Sequence, residues 1–443
     1  TISDNVIRTT GSSESIYVSN FANWRYLYDN TFLRSGNVTI EDNTVDGGSY
    51  GVYVSNSYTG YELYHNSRAQ TGNFLINNNN IMRSGNGIYF SLEGGYSLFN
   101  ESRAMVGNIA IIDNYVMSRY NAIDVYYSYL GAEMYDRSYF IIGDLLIEGN
   151  EVYGSQGLDW YSGVYLYIND IGYRLYGRSL VEMGSVTIID NDIWGYYGLQ
   201  FDNFNYLGYR MEGDSSFVMG DLNVTNNRIR ARQHAIYANS LNEIGYQLSG
   251  NANVTIGRMD FNMNSIWAGN CGFYFDDFRY VGYDMEGSSS FKMDDISISE
   301  NMIISDEEGI YLDDVMHFGN YLYEDSRVIF GSMLVNDNII ISNDTGIYIY
   351  YLYEFGYEMY DNSTFVMENI EMNGNRISSL GEGIYIYYLE YFGYLLYNHS
   401  SFSMGSILIN NNSIISDFYG IYLNELYYFG GYLEQMASFN MKT

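Results

Sequence analysis

Two acidic pairs, Asp276-Asp277 and Asp313-Asp314, lie 37 residues apart in a chain of 443. A third pair at the matching place reads Asp202-Asn203. Carboxylates held side by side raise one another's pKa or share a cation. The first arrangement suits acid–base cleavage of a glycosidic bond, the second a Ca2+ or other divalent-cation site. Arg279 and His317 are close by in sequence. Asp276, Asp277, Asp313 and Asp314 are therefore the candidate metal ligands. The alternative chemistry is a polysaccharide lyase or hydrolase centred on Asp276 and Asp313. The same residues also suit a solvated face on an acidic protein. Copies on either side read Tyr350-Tyr351 and Asn239-Ser240 there, so the feature is local.

Other reactive side chains are scattered. His65, His234, His317 and His399 fall at unrelated registers and share no zinc spacing. Cys271 is the one cysteine, so no intrachain disulfide forms. No glycine-rich phosphate loop sits between a strand and a helix.

The elements that carry these residues are copies of one unit. Residues 369–405 read NIEMNGNRISSLGEGIYIYYLEYFGYLLYNHSSFSMG. Equivalent units start at Asn37, Asn73, Asn108, Asp144, Ser185, Asp221, Arg258, Asp295, Ser332 and Ser406, and a shortened copy opens the chain. Units run from 35 to 38 residues, except one of 41 at residues 144–184, where WYSGVYLYIND suggests an insertion. The seventh position is asparagine in all twelve: Asn5, Asn43, Asn79, Asn114, Asn150, Asn191, Asn227, Asn264, Asn301, Asn338, Asn375 and Asn412. Ile or Val follows two residues later in every copy.

This spacing converts to geometry. Ile370 and Met372 alternate and share one side of a strand. Asn375 and Ile377 also share a side, but lie an odd number of residues from Met372. A bend at Asn373-Gly374 must restore the inward direction, which leaves the asparagine inside, just past a turn. A second alternating stretch sets Ile384 and Ile386 against Tyr385 and Tyr387. A third runs through Leu395, Tyr397, Phe402 and Met404. Three strand-like stretches at a fixed period predict an all-β parallel solenoid, one domain over residues 1–443, with twelve coils of 35–41 residues. Each inner asparagine would donate to a carbonyl of the coil below, giving a continuous ladder. At the strand spacing the rod would be roughly 55–60 Å long.

GIYL at residues 309–312 and 420–423, and I-x-x-N-x-I at 298–303 and 409–414, resemble the right-handed parallel β-helix families, the pectate-lyase-like fold among them. The resemblance covers all twelve copies and implies stacked coils with an inward asparagine ladder. It also implies a fold that often carries polysaccharide-cleaving enzymes. This chain departs from the shorter surface-protein repeats by an extra Tyr-rich arm, residues 350–360 in one copy, which becomes the expected place of contact with another molecule.

Composition narrows the function. Proline is absent, while tyrosine numbers 52 and glycine 46. Excluding proline keeps ladders uninterrupted. The net charge of −33 argues against nucleic acid and anionic membranes as partners. No apolar run is long enough for a membrane helix. Eight N-x-S/T sequons, at Asn37, Asn100, Asn223, Asn253, Asn343, Asn362, Asn398 and Asn411, suit a glycosylated outer surface. A start at Thr1 suits an exported chain whose leader has been removed. The Tyr-, Asn- and Gly-rich style resembles the sheath proteins of methanogenic archaea. The expectation is an extracellular structural protein that assembles with itself, head to tail or edge-wise, into a sheath, layer or filament. Cell-surface glycans are further expected partners, and an adhesin or glycan-binding module is a further alternative. No cofactor is expected beyond Ca2+ or other divalent cations.

Overall fold

A computed structural model describes residues 1–19, 25–154 and 160–442. The described chain is all β, and every named strand pair is parallel, with each strand bonded to its equivalent one coil away. The result is a parallel β-solenoid of twelve coils. In the unit starting at Ser332 the wall is built from Met333–Asn336, Ile339–Ser342, Ile347–Phe355, Glu358–Met359 and Thr364–Met367. These define the first to fifth faces. The first, second and fifth faces are 12-stranded sheets, and the third has 13 strands because one copy is split in two. The narrow fourth face forms sheets of 8 and 3 strands, joined by bridges through Leu322.

Five faces replace the three expected stretches: the first stretch splits at the bend before the asparagine, and the third splits into Leu395–Leu396, where Leu396 rather than Leu395 or Tyr397 faces inward, and Ser401–Met404. A second difference lies in the Tyr-rich segment. It does not project as an arm; Tyr350 to Phe355 continues the third-face strand. Inward residues there are Ile347, Ile349, Leu352 and Phe355, spaced by two, three and three. Period-two alternation fails because Tyr350 and Tyr351 both face outward, and Glu354, at φ 57°, adds a second kink. Such left-handed residues re-aim a strand at a bulge. Tyr280, His317, Tyr391 and Tyr428 occupy the same place with φ of 57°, 63°, 59° and 62°. The segment therefore closes the coil, and Leu352, Phe355 and Met359 are fully buried.

The expected insertion also shifts. Ser162–Asn169 is an in-register third-face strand, with Tyr165 paired to Asp124 below and Gln200 above. The surplus falls upstream of Ser162, over a stretch that includes residues 155–159, outside the described residues.

Two local devices turn the corners. The residue before each ladder asparagine is left-handed in all twelve coils, from Asp4 at φ 57° to Asn411 at φ 56°. That is the bend which returns the asparagine to the interior. The glycine of each Gly-Tyr phrase is also left-handed, as in Gly282 (φ 58°), where a Cβ would lie 3.0 Å from Phe291. Glycine is needed there for both conformation and room.

Candidate functional site

The asparagine ladder is complete from Asn5 to Asn412. Each Nδ2 donates to the Oδ1 of the asparagine in the following coil at 2.9–3.1 Å. The backbone N–H donates to the same oxygen, as from Asn264 to Asn301 at 2.8 Å. Nδ2 also reaches a carbonyl of the coil below, as from Asn264 to Val224 at 2.8 Å. Ten of these asparagines are buried, Asn43 to Asn375, and all their polar groups face one another rather than solvent.

A second small-residue row was legible but missed. Ser67, Ser102, Ser138, Ser179, Ser215, Ser289, Ser326, Ser363 and Ser400 recur at one position and are all buried. In the first coils their hydroxyls donate to the carbonyl three residues back, as Ser67 to Tyr64 at 2.6 Å. A third row lies at the start of each unit, where Asn37, Asn73 and Asn108 each accept from the backbone N–H of the next coil. Recurrence at fixed offset was the available signal for both.

The outer side of the third face carries the chemistry. One register position reads Tyr17, Tyr53, Tyr89, Asp124, Tyr165, Gln200, Tyr237, Tyr274, Tyr311, Tyr348, Tyr385 and Tyr422. From Tyr237 to Tyr422 successive rings lie 5.5, 5.1, 4.9, 4.9 and 4.9 Å apart with interplanar angles of 4–24°. The ring faces are thus used by neighbouring rings, and only edges and hydroxyls reach the surface. Parallel backbone register imposes this stacking, and offset stacked rings attract. On the fourth face Tyr28, Tyr64, Phe99, Tyr135 and Tyr176 form another such column at 4.9–5.0 Å.

The predicted acidic residues sit beside this row. Tyr274 donates to Asp276 Oδ1 at 3.2 Å and lies 3.3 Å from Asp313 Oδ2. Tyr165 donates to Asp202 Oδ2 at 2.7 Å. Asp277 and Asp314 are register partners, and Arg279 joins them, with Nε 2.5 Å from Asp277 Oδ1 and a second nitrogen on Asp314. Burial, and then the charge of Asp314, push the Asp313 carboxyl upward. Burial also raises Asp277, against the opposing pull of Arg279. His317 does not join the quartet: its Nδ1 lies 2.6 Å from Glu354 Oε2 and its ring stacks on Tyr280.

Among the described residues the one trio with ligating atoms within 4.8 Å of each other is Cys271, Glu307 and Glu308. The Cys271 thiol is buried and 3.2 Å from Glu308 Oε2. Burial, reinforced by that carboxylate, holds it far above the ordinary thiol range, so it is a protonated donor. His234 is packed among Tyr197, Tyr237 and Tyr274, and burial lowers it to about 4. His65 borders a polar recess along the stacked turns of the early coils, shared with Asn100 and Arg137 and remote from the acidic row. His399 sits in the equivalent turn of a late coil at φ 67°.

None of the eight sequon asparagines is buried; Asn37, Asn100, Asn343, Asn362 and Asn411 are exposed, and Asn223, Asn253 and Asn398 are half-buried. No helix is long and apolar enough to cross a membrane. No protein-family model, curated protein or solved structure matches the chain.

Proposed function

We propose that this chain is a structural, self-assembling cell-surface protein, a subunit of an extracellular sheath, layer or filament built by coil-on-coil stacking. The observation that carries this is the polarity of the ladder. Every rung points the same way, so a coil presents an acceptor oxygen on one side and N–H donors on the other, as Asn264 does. A second copy set end to end continues the rungs without a change of register.

The apolar rows agree. Ile421, Leu423, Leu426 and Leu433 of the last coil are 46%, 39%, 42% and 45% exposed. Their register partners one coil below, Ile384, Ile386, Leu389 and Leu396, are at most 1% exposed. An inner row is dry only where a coil lies on both sides of it, whichever chain supplies that coil, and an open strand edge is a template for one. Heterologous contacts of this kind propagate into rings or filaments. Along the side of the rod, Met302, Ile339 and Ile341 point outward from adjacent coils of the second face and give an apolar patch for edge-wise contact, separated from Trp194 by Arg228 and Arg230. The sequons would carry glycans on the outer surface, and the acidic row would keep that surface hydrated and take up divalent cations.

Leu426→Lys places a charge in the inner row of its coil, over Leu389, and circular dichroism must first show that the variant keeps its fold. Light scattering of the purified chain should show concentration-dependent polymers, and this variant should remain dispersed. Polymers that grow equally well with Leu426→Lys would refute end-to-end stacking. Steady turnover of an acidic polysaccharide, lost in Asp276→Asn, would instead support the enzyme alternative.

A further inference from the structure

The outer tyrosine row has a property that packing alone does not require. Its rings are spaced at about van der Waals contact over six consecutive coils, Tyr237 to Tyr422. At Tyr274 the phenol is hydrogen-bonded to one carboxylate, Asp276, with a second, Asp313, at 3.3 Å. Tyr165 donates to a single carboxylate, Asp202 of the following coil, at 2.7 Å. Between these two places the row is broken by Gln200, and among the described residues no ring pair joins Tyr165 to the next coil. Below the break, Tyr17, Tyr53 and Tyr89 stack at 5.1 and 4.8 Å, and Tyr126 leans across to connect Tyr89 with Tyr165. Each segment of the row thus contains a phenol paired with a carboxylate.

Phenols are the most easily oxidised side chains exposed along this wall, and losing an electron makes the hydroxyl strongly acidic. Oxidation is therefore easiest where a base already accepts the hydroxyl proton. Burial and the neighbouring carboxylates hold the Tyr274 and Tyr311 hydroxyls well above the ordinary phenol range, so neither is a phenolate beforehand. The electron must leave together with the proton.

We propose that the outer tyrosine row is a one-electron relay, in which oxidation anywhere between Tyr237 and Tyr422 migrates along the stacked rings and comes to rest at Tyr274 beside Asp276 and Asp313. The co-reactant is a one-electron oxidant, such as a peroxide-derived radical. One electron passes from the row to that oxidant. At Tyr274 the hydroxyl proton moves to the carboxylate, leaving a neutral tyrosyl radical next to a carboxylic acid. A later one-electron donor, such as a small thiol, which is left as a thiyl radical once its thiolate gives up the electron, restores the phenol, and the same proton returns from the carboxylic acid. Such a relay would keep oxidising equivalents on the outer wall and away from buried methionines such as Met285, Met293, Met359 and Met367. Their conversion to polar sulfoxides would disrupt the core. This role is independent of assembly.

In a Cys271→Ser background, Asn424→Cys can carry a ruthenium polypyridyl photo-oxidant beside Tyr422, to which Asn424 is hydrogen-bonded at 3.1 Å. After flash oxidation with a sacrificial electron acceptor, a nitroso spin trap followed by peptide mass spectrometry locates the radical. The relay predicts adducts on Tyr274, four coils away. In Tyr311→Phe, which keeps the ring but not the phenol, adducts should stop at Tyr348, Tyr385 and Tyr422. In the Asp276→Asn, Asp313→Asn double variant the radical should spread along the row with no preference for Tyr274. Circular dichroism establishes that each variant is folded. Adducts confined to the labelled coil, or Tyr274 trapped equally in Tyr311→Phe, would overturn the proposal, as would an unchanged Tyr274 preference in the double variant.

Discussion

Asn264 fills five hydrogen-bonding roles at once. It accepts two bonds from Asn227, donates two to Asn301 and donates one to Val224. Asn264→Ala removes the acceptor of the Asn227 backbone N–H and of one Asn227 Nδ2 bond, strips the Val224 carbonyl of its side-chain donor, and leaves Asn301 Oδ1 with the residue-264 backbone N–H alone, all in a dry interior. The expected loss is on the order of 3 kcal/mol, read from denaturant unfolding. Asn223→Ala, on the outer side, should stay within about 0.5 kcal/mol. Asp124 is the reverse case. It replaces a tyrosine in the outer row, is only 1% exposed, and accepts from Asn121 Nδ2 at 2.6 Å. Burial raises it to about 7, only partly offset by Asn121. The folded state therefore favours the protonated acid. Its stability is full below the unfolded pKa of about 4, falls as pH rises, and levels off above about 7. Asp124→Asn should be near neutral at pH below about 4 and stabilising by a few kcal/mol well above the folded value. A stability gain that is equal at both ends of the pH range would contradict this assignment.

Among the elements, the corners are more demanding than the strands. Gly282→Val puts a β-branched residue at φ 58° with its Cβ 3.0 Å from the Phe291 ring. A loss on the order of 2 kcal/mol is expected from the left-handed conformation alone, seen as a lower thermal midpoint. Gly36→Val, where a Cβ meets no neighbouring atom, is the matched control. The corners also explain what was legible in the sequence. The invariant asparagine, the odd spacing from Met372 to Asn375 and the alternation of Ile384 and Ile386 give the ladder, the bend and the stacking direction, because each depends on local spacing. The continuation of the third face was hidden because Tyr350-Tyr351 and Glu354 break period two, so a wall strand looked like an outward arm. The site was half legible. Asp276 and Asp313 do lie on the outer wall of adjacent coils, but the reach of Tyr274 to Asp313 and of Arg279 to Asp314 depends on contacts between coils. His317 turns to Glu354 of the following coil for the same reason.

For the whole molecule, the quantity that matters is the polarity of the stack. A coil with a neighbour on each side buries its inner row, as Ile384 and Leu389 are covered by the coils flanking them. The uniform polarity of the asparagine rungs then selects one mode of growth, donor side onto acceptor side. Electron microscopy of the assembled chain tests this most directly. The proposed assembly is a filament in which the coil repeat of about 4.8 Å runs unbroken from one molecule into the next, with Asn412 of one copy over Asn5 of another. Isolated rods at high concentration, or rods joined only by their sides with end coils free, would contradict it.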